Sequence, residues 1–400
     1  MSVKVTLIEL YHRIVKFDKK MSVHLNGEDN NYPERVERTI NNSATAKPAA
    51  ETLKKFIIGQ GFEQQEFNDV VVNKKTGATL RMLLSQVAQS YAWQKGVAVH
   101  ANYNANYKIS DLKVLPFGHC RVGKKDDTSY AGKIGLHDQW YNKSIKAKDI
   151  KMIDVFNPLE KVVKEQIRAA KDIKNFKGQI HFFHPDDTIY PLAHIDNVMY
   201  DADSEYQAAV FKNRSLRKGY FGNLIFLTPP LLGELAKKPP ELMSPEELKI
   251  FRHLNSERGN FKEVIKQSLG AENVGGVVHM EVEHQLDDIK KAFEVVKIDT
   301  NIDDKVFEYT ETSAANNIRK ANQNIPAILI DNRDNSVFGD SGKKFKEAKI
   351  YYSEQTQDER EFIDHHINEL MKHFEGFEMP KGGLKIKPLV NPNQANVIDN

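Results

Sequence analysis

The sequence predicts an α+β fold in which two long helices flank a compact strand–helix–strand insert. Apolar residues recur at helical spacing through much of the first 94 residues. Short β-rich runs, separated by clusters of Gly, Asp, Asn and Lys, then follow up to residue 183. Further along, Ser244-Pro-Glu-Glu247 is a strong helix start that lies between two strand-like runs.

The first half of the chain is expected to form one α+β domain. Helices are predicted over 34–40, from Asn42 to Ile57 and over 78–94, where apolar residues repeat every three or four positions. A lysine-rich helix is predicted at 158–173. The strand-like runs around it are GVAVHA, KVLPFGHCRV, KMIDVF and GQIHFF.

A long helix is predicted from Pro191 to Lys218, because no Gly or Pro occurs after its first residue. Acidic residues come early in it and basic residues late, which complements the helix dipole. Ordinary core packing and a coiled-coil seam both remain open, since they share the 3-4-3-4 spacing of its apolar positions, Leu192, Ile195, Met199, Ala202 and Tyr206.

Residues 219–284 are predicted to form the insert between the two long helices. Its strands are NLIFLT and VVHMEV. Its helix begins after Ser244, is predicted to break near Arg258-Gly259, and resumes as far as Gly270.

The remainder of the chain contains a second long helix, predicted over 303–322 and unusually polar. Residues 331–342 form a loop without an apolar pattern, and a final helical stretch covers about 343–375. The run LKIKPLV near the C-terminus is strand-like.

Charge, cysteine content and hydropathy exclude several classes of protein. The 400 residues carry 57 Lys and Arg against 55 Asp and Glu, so a net charge of +2 excludes binding of nucleic acid through bulk basicity. Cys120 is the single cysteine, which excludes an intrachain disulfide framework and a multi-cysteine zinc ribbon. No apolar run approaches the ~20 residues that span a bilayer, and no signal-peptide core is present, so we expect a soluble protein made inside the cell.

One string resembles an enzyme motif. His184-Pro-Asp186-Asp187 is similar to the zinc motif of LmbE-like deacetylases, in which His and Asp hold the metal and a second Asp acts as the base. Thr188 stands where that motif has Glu, and no His-x-x-His follows at a sensible distance, so an Asp-rich turn is favoured. A metal-dependent hydrolase centred on these residues is the alternative function.

Three further strings are weaker candidates for chemistry. One helix face carries His366, Glu369 and His373 without the His-Glu-x-x-His order, which favours a solvated face over a metal site. The string GDSGK resembles part of a phosphate loop, but Val337 stands where that pattern needs glycine, so no ATP hydrolysis is predicted. Cys120 lies in an apolar run and is predicted to be a buried small side chain.

The order of the elements and three local strings resemble portal proteins of tailed bacteriophages. Similarity to portals of phages from Bacteroidetes-type hosts is carried by GEDNNYPERVERTINNSATAKPAAETLKKFIIGQGF, by KVLPFGHCRVGKKDD with the following Trp140, and by IYPLAHIDNVMYDADSEYQAAVFKNRSLRKGYF. The resemblance covers about residues 25–375. It implies no active-site motif, because portals are not enzymes.

The resemblance implies a division of the chain into portal segments. Only about 25 residues follow Phe374, so the helical crown of the family is expected to be minimal or absent. The implied segments are the wing at 1–188, the first stem helix at 189–218, the clip at 219–284, the second stem helix region at 285–325, the tunnel loop and long wing helix at 326–378, and a C-terminal strand and tail at 379–400.

The function that the resemblance implies is that of a portal ring, expected to be a homododecamer, at one vertex of a capsid. Double-stranded DNA is expected to pass through its channel during packaging and ejection. The terminase large subunit and then a head–tail adaptor are expected to dock on it, beside the major capsid protein. The expected location is the virion, after assembly in the host cytoplasm, with no membrane, cofactor, metal or catalytic residue.

Two sets of residues are expected to carry this function. Contacts with DNA are expected from the tunnel loop and its flank, through Arg333, Asn335, Ser336, Lys343 and Lys344. Contacts between neighbouring subunits are expected from the seam Leu192, Ile195, Met199, Ala202 and Tyr206. The clip carries seven Lys and Arg against nine Asp and Glu, which favours a protein-docking surface over a DNA clamp.

Overall fold

A computed structural model describes residues 15–124, 132–142, 144–217, 223–228, 235, 237–267, 277–281, 294–298, 304–330 and 341–390. Helices and sheets are both present, in agreement with the predicted α+β class. The chain divides into two units, one formed by Met1–Ala202 with Ala315–Asn400 and the other by Asp203–Ala314. Within the described ranges, no helix is both long enough and apolar enough to cross a membrane.

The first unit contains two short strand pairs and a six-stranded sheet. The pairs are β1 (Phe17–Asp18) with β2 (Val23–His24), and β3 (Val71–Asn73) with β4 (Ala78–Thr79). The sheet is built from β5 (Val97–Tyr103), β6 (Ile109–Leu115), β7 (Cys120–Val122), β8 (Lys133–Leu136), β9 (Lys151–Val155) and β10 (Gln179–Phe183). Its spatial order is β6-β5-β10-β9-β8-β7, and only the pair of β9 and β10 is parallel. The four β-rich runs are confirmed, whereas β8 was not predicted because four residues are too few to show a period.

Four helices pack with this sheet. They are α1 (Tyr32–Asn42), α2 (Ala46–Ile58), α3 (Leu80–Gln94) and α4 (Glu160–Ala169), the last being shorter than the predicted 158–173. Pro33 lies in the first turn of α1, where its missing N–H is not needed, so this helix begins before residue 34. Apolar residues of all four helices and of one sheet face form the main core, and a smaller cluster lies around Cys120 and Ile180.

The second unit contains a three-stranded sheet. The helix α5 (Met199–Arg217) begins in the first unit and continues into the second. β11 (Asn223–Thr228) pairs in parallel with β12 (Val277–Glu281), and the crossover that a parallel pair needs includes α6 (Pro245–Gln267). β13 (Glu294–Ile298) pairs antiparallel with the other side of β11. The predicted strand–helix–strand arrangement is therefore confirmed, and β13 is a third strand beyond the predicted limit at residue 284.

The start of α6 is as predicted, whereas the predicted break is wrong. The Glu247 N–H donates to Ser244 Oγ at 3.2 Å, and the Ser244 N–H donates to Glu247 Oε2 at 2.7 Å, which completes the capping box. The helix then runs without interruption through Arg258-Gly259. A single glycine costs a helix only ~1 kcal/mol relative to alanine, which is not enough to end it.

Three helices follow in the last quarter of the chain. α7 (Asp304–Ala321) agrees with the predicted second long helix. The single stretch predicted at 343–375 is instead two helices, α8 (Ser341–Gln355) and α9 (Gln357–Met371). The Thr356 hydroxyl donates to the Tyr352 carbonyl at 2.9 Å, and Arg360 Nη2 donates to the Ser353 carbonyl at 2.6 Å. Side chains thus bond the last carbonyls of α8, and the helix ends there.

The C-terminal run LKIKPLV does not form the predicted strand. Its pairing is a single bridge between Ile386 and Phe62. The Lys387 N–H donates to the Gly61 carbonyl at 2.8 Å, and the Lys387 carbonyl accepts from the Gln60 N–H at 2.9 Å. Pro388 has no N–H to donate, so the ladder cannot continue.

Candidate functional site

The segment 184–198 joins β10 to α5, and an ion pair holds its first part. Asp186 accepts from Lys95 Nζ at 2.8 Å, and the other oxygen of the same carboxylate accepts from the Leu192 N–H at 3.3 Å. Lys95 is the residue that ends α3, where it adopts a left-handed backbone conformation with φ of 54°. The end of α3 is therefore tied to the approach of α5.

A tyrosine from α1 holds the second part of this segment. The Tyr32 hydroxyl donates to Asp196 Oδ1 at 2.5 Å and accepts from the Ala193 N–H at 3.0 Å. The amides of Leu192 and Ala193 are thus bonded to side chains, whereas those of Asp196 and Val198 donate to carbonyls three residues earlier, as in a 3-10 turn. This explains why α5 begins only at Met199, after a short 3-10 turn, and not at Pro191 as predicted.

The five residues of the predicted seam do not share one environment. Ile195 and Ala202 are fully buried in the main core of their own unit, which leaves little of either side chain for the predicted contact with a neighbouring subunit. Met199 packs partly against the same core, and Tyr206 is half-buried. Leu192 is 43% exposed, because it precedes α5 and does not follow the helical register. The five residues selected by helical spacing thus include both core residues and surface residues.

Tyr200 is the exposed aromatic residue that the seam pattern missed. Its side chain is 90% exposed in the first turn of α5. Next to it, Asp201 accepts from Asn317 Nδ2 of α7 at 3.2 Å, so a polar contact joins the two long helices. Tyr200 directly follows the seam residue Met199 in the sequence. It was not selected because it does not fit the spacing of three and four residues between the apolar positions.

The residues predicted to contact DNA belong to the predicted loop 331–342 and its flank, and the last two positions of that range lie in α8, which begins at Ser341. Arg333, Asn335 and Ser336 lie outside the described residues. Lys343 and Lys344 lie in the first turn of α8, and both are exposed. Positive side chains at the N-terminus of a helix oppose its dipole, so these lysines do not stabilise α8.

The three residues of the alternative hydrolase site do not converge. Asp186 is engaged by Lys95, Asp187 is exposed, and burial lowers the pKa of His184, which keeps its imidazole neutral. In the part of the chain that the structure describes, no group of three or more His, Cys, Asp and Glu side chains is arranged to hold a metal ion. The Asp-rich turn is the interpretation that the geometry supports.

Comparisons with solved structures find chains with a similar fold. No protein-family model and no curated protein sequence matches the chain. A chain in the virion of a native gene transfer agent particle matches it with 13% identity and a TM-score of 0.52, over 92% of this chain and 86% of that chain. A chain in the neck of an empty particle of this agent, computed with C6 symmetry, matches with 13% identity, a TM-score of 0.51 and the same coverage. The chain has the portal fold.

A crystal structure of an HK97 family phage portal protein from Corynebacterium diphtheriae is more distant. It shares 9% identity and a TM-score of 0.31, over 80% of this chain and 83% of that chain. A portal fold does not by itself specify partners or a reaction, because one fold can serve several functions. The candidate site is therefore a set of surfaces on the portal fold.

A pair of histidines links the sheet of the portal fold to α9. His181 Nε2 lies 3.0 Å from His366 Nδ1, and His366 stacks on Phe183 with ring centroids 4.2 Å apart. Glu369 instead pairs with Lys372, and among the described residues His366, Glu369 and His373 do not form a metal-binding group, the alternative that the sequence did not favour. His366 packs the sheet against the helix, and this contact could not be read from a helical spacing alone.

Two other buried groups complete the polar interior of the first unit. Burial raises the pKa of the Cys120 thiol to about 12, so this cysteine is the inert core residue that the sequence predicted. Arg121 beside it is fully buried, with Nε donating to Asn30 Oδ1 at 2.6 Å and Nη2 to the Asn30 carbonyl at 2.8 Å. Arg121 is a structural residue that the sequence analysis missed.

Proposed function

We propose that the protein is a phage portal protein, a ring of identical subunits at one vertex of a capsid. DNA passes through the axial channel of this ring during packaging and ejection. The observation that carries the proposal is the match to a chain of a gene transfer agent virion over 92% of this chain. A second match, to the neck of such a particle with rotational symmetry, supports a ring-shaped assembly.

The channel of the ring is lined in part by the loop 331–342 and the start of α8. Lys343 and Lys344 are exposed there and are not needed for helix stability, which supports contact with the phosphates of double-stranded DNA. Few such contacts per subunit suit a channel, because each phosphate contact adds affinity and slows sliding. Arg333, Asn335 and Ser336 belong to the same proposed surface.

Contacts between subunits involve the exposed side of the start of α5. Leu192, Met199 and Tyr206 remain proposed contact residues, and Tyr200 joins them because it is 90% exposed. An exposed tyrosine supplies large contact area with little loss of rotamer freedom, which is why this residue type is enriched at interfaces. The homododecameric state is part of this proposal.

The docking partners follow from the proposed division into wing, stem, clip and tunnel loop. Residues 219–284, with more acidic than basic residues, serve as the clip on which the terminase large subunit and then the head–tail adaptor dock. The major capsid protein contacts the wing at 1–188. The ring is assembled in the host cytoplasm and becomes part of the virion, and its function requires no catalytic residue, cofactor or membrane.

Negative-stain microscopy and mass photometry of the purified full-length chain test this proposal. We expect rings with a stained central channel and a mass near that of twelve 45.7 kDa subunits. A chain that stays monomeric at every concentration and salt condition would contradict the ring. Metal analysis of the same sample distinguishes the portal from the alternative hydrolase, because the hydrolase is expected to hold one tightly bound metal ion per chain.

A further inference from the structure

A groove lies between α3 and the outer edge of β6, which is an edge strand of the six-stranded sheet. Its volume is about 670 Å³. Met82 on α3 contributes an apolar side chain that is 57% exposed. Edge strands present unpaired backbone groups, and proteins usually cover such groups.

The backbone of β6 is only partly covered along this edge. Ile109 exchanges both of its backbone hydrogen bonds with residues 373–375, and the Leu112 carbonyl accepts from Asn73 Nδ2 at 3.1 Å. Both contacts lie on the side that faces away from β5. Alternate residues of an antiparallel strand present their N–H and C=O groups to the same side. Val114 lies two residues after Leu112, so its N–H and C=O groups also point away from β5. Outside the sheet, no described residue forms a backbone hydrogen bond with Val114.

Two unpaired side-chain atoms border the same groove. Trp93 Nε1, a donor, and Gln94 Oε1, an acceptor, are both shielded from solvent and have no hydrogen-bond partner among the described residues. The Gln94 side chain is 2% exposed, and its Nε2 donates to the Pro33 carbonyl at 3.0 Å, which fixes its orientation. Buried polar atoms in proteins are generally paired, so each unpaired atom needs an explanation.

We propose that this groove binds an extended segment of a partner protein, which adds as a short strand beside Val114. An extended backbone offers the N–H and C=O groups that the edge of β6 requires, whereas the backbone of a helix is already paired internally. Its apolar side chains, at alternate positions, contact the apolar wall around Met82. The lining contains charges of both signs, Glu37, Lys54 and Lys113, which favours a segment without net charge.

A described strand of a second copy is not available for this purpose. Every strand that the structure describes is already paired within its own chain. Its insertion into the groove of another copy would break those pairs. Because no described strand is free to fill the groove, the proposal assigns the occupant to a different protein, and occupation by any other part of this chain is an outcome that the experiment detects.

Fluorescence anisotropy with a synthetic strand peptide tests the proposal. The probe is fluorescein-labelled Thr-Val-Thr-Leu-Thr-Val-Thr, and its control carries N-methyl groups at alternate amides, which remove donors and leave the side chains unchanged. We expect saturable binding of the probe to the full-length chain and at least about tenfold weaker binding of the N-methylated control. Probe binding that is absent up to about 1 mM, or equal for both peptides, would overturn the proposal.

Matched variants locate the binding site. Met82→Glu is expected to weaken probe binding at least about tenfold, whereas Leu159→Glu, at a position 63% exposed and outside the groove, should leave it unchanged. Val114→Pro removes one outward N–H from an edge strand, a place that tolerates proline, and should weaken binding as well. Equal affinities of wild type, Met82→Glu and Val114→Pro would place the peptide elsewhere.

A photo-cross-linking amino acid at position 82 identifies what fills the groove. Cross-links to the added probe, identified by mass spectrometry, would support an open groove. Cross-links within the full-length chain itself, or between two of its copies, would show that its own sequence occupies the groove. That result would overturn the assignment to a partner protein.

Discussion

His181 and His366 meet across the contact between β10 and α9, with His181 Nε2 3.0 Å from His366 Nδ1. One ring must donate and the other accept, so the pair is compatible with neutral imidazoles and not with two charged ones. Burial is the main cause that lowers their pKa values, to about 3 for His181 and about 4 for His366, and the neighbouring His365 adds to the effect. This contact makes the packing of α9 sensitive to pH.

Replacing His366 by phenylalanine is expected to make the first unit less sensitive to acid. Unfolded histidines take up protons near pH 6.5, whereas these folded ones do so only near pH 3 to 4, so the free energy of unfolding falls as pH drops through this window. His366→Phe removes one such group and should reduce that loss by on the order of 2 kcal/mol. Chemical denaturation at a series of pH values measures this change in the free energy of unfolding.

The neighbouring residue gives the control for this prediction. His365→Phe changes an exposed histidine on the same helix that only adds to the effect of burial, so it should alter the pH dependence much less than His366→Phe does. Asp364, whose pKa burial raises to about 7, has the opposite pH dependence, but it is present in all three proteins and cancels in the comparison. Equal slopes for wild type and His366→Phe would show that the histidine pair is not the sensor.

Arg121→Met is expected to destabilise the first unit strongly. The guanidinium is fully buried, donates to Asn30 and to the Gly118 carbonyl, and lies over the Trp140 ring at 5.2 Å. Methionine fills a similar volume but removes the donors to the buried Asn30 and Gly118 carbonyls, which should cost on the order of 3–5 kcal/mol. Thermal unfolding followed by near-ultraviolet circular dichroism reports this loss.

Glu34→Gln is the matched control for Arg121→Met. Glu34 is the acidic partner of Arg121, but the two charged groups are 3.7 Å apart, and burial raises the pKa of Glu34 despite the nearby guanidinium. Neutralising it should therefore change the free energy of unfolding by about 1 kcal/mol or less. A loss as large as that of Arg121→Met would show that the ion pair, and not the hydrogen bonds to neutral acceptors, stabilises this site.

The sequence predicted elements with local signals and missed those set by distant contacts. Ser244 and Glu247 form their capping box within four residues, so the start of α6 was correct. The start of α5 was wrong because the Tyr32 hydroxyl, far away in sequence, binds the Ala193 amide. The end of α8 was missed although its contacts are local, because the Thr356 and Arg360 side chains bond nearby carbonyls while the helical spacing of apolar residues continues past them.

The candidate site was predictable only where composition alone carries the signal. Lys343 and Lys344 are exposed, as a polar stretch with adjacent lysines indicates. The seam spacing could not show that Ile195 and Ala202 are buried in their own unit, since the same spacing serves a subunit core and a subunit interface. Only the packing of α5 on its own unit distinguishes the two.

Ser244→Ala is expected to loosen the first turn of α6. The hydroxyl accepts from the Glu247 N–H, and losing a cap of this kind costs on the order of 1 kcal/mol. Hydrogen exchange of the amides at 246–248 should become several-fold faster. Ser256→Ala, an exposed mid-helix change in the same element, should not accelerate exchange, because alanine favours helix. Unchanged exchange in Ser244→Ala would show that the box does not limit the fraying of α6.

Reversing the charges of Lys343 and Lys344 tests the proposed channel. The double change to glutamate places acidic residues at the start of α8, where they favour the helix dipole, so the fold should be preserved. Binding of double-stranded DNA to assembled rings should weaken, and the slope of its salt dependence should fall by about 2 per contacting subunit. Lys381→Glu, another exposed lysine, is the control and should keep the wild-type slope. An unchanged slope in the double variant would show that these lysines do not contact DNA in the channel.

Two neighbouring positions at the start of α5 separate subunit folding from ring assembly. Ala202 is fully buried in the core of its own unit, so Ala202→Asp puts an unpaired charge there and should unfold that unit. Tyr200 is 90% exposed, so Tyr200→Asp costs the isolated subunit little and should leave circular dichroism unchanged. If Tyr200 packs against a neighbour, the same change buries a charge at every interface of the ring, and gel filtration should show small species in place of rings.

Met199→Asp is expected to show both effects in part, since that side chain packs partly on the core. Full-sized rings of Tyr200→Asp would place the subunit interface away from the start of α5.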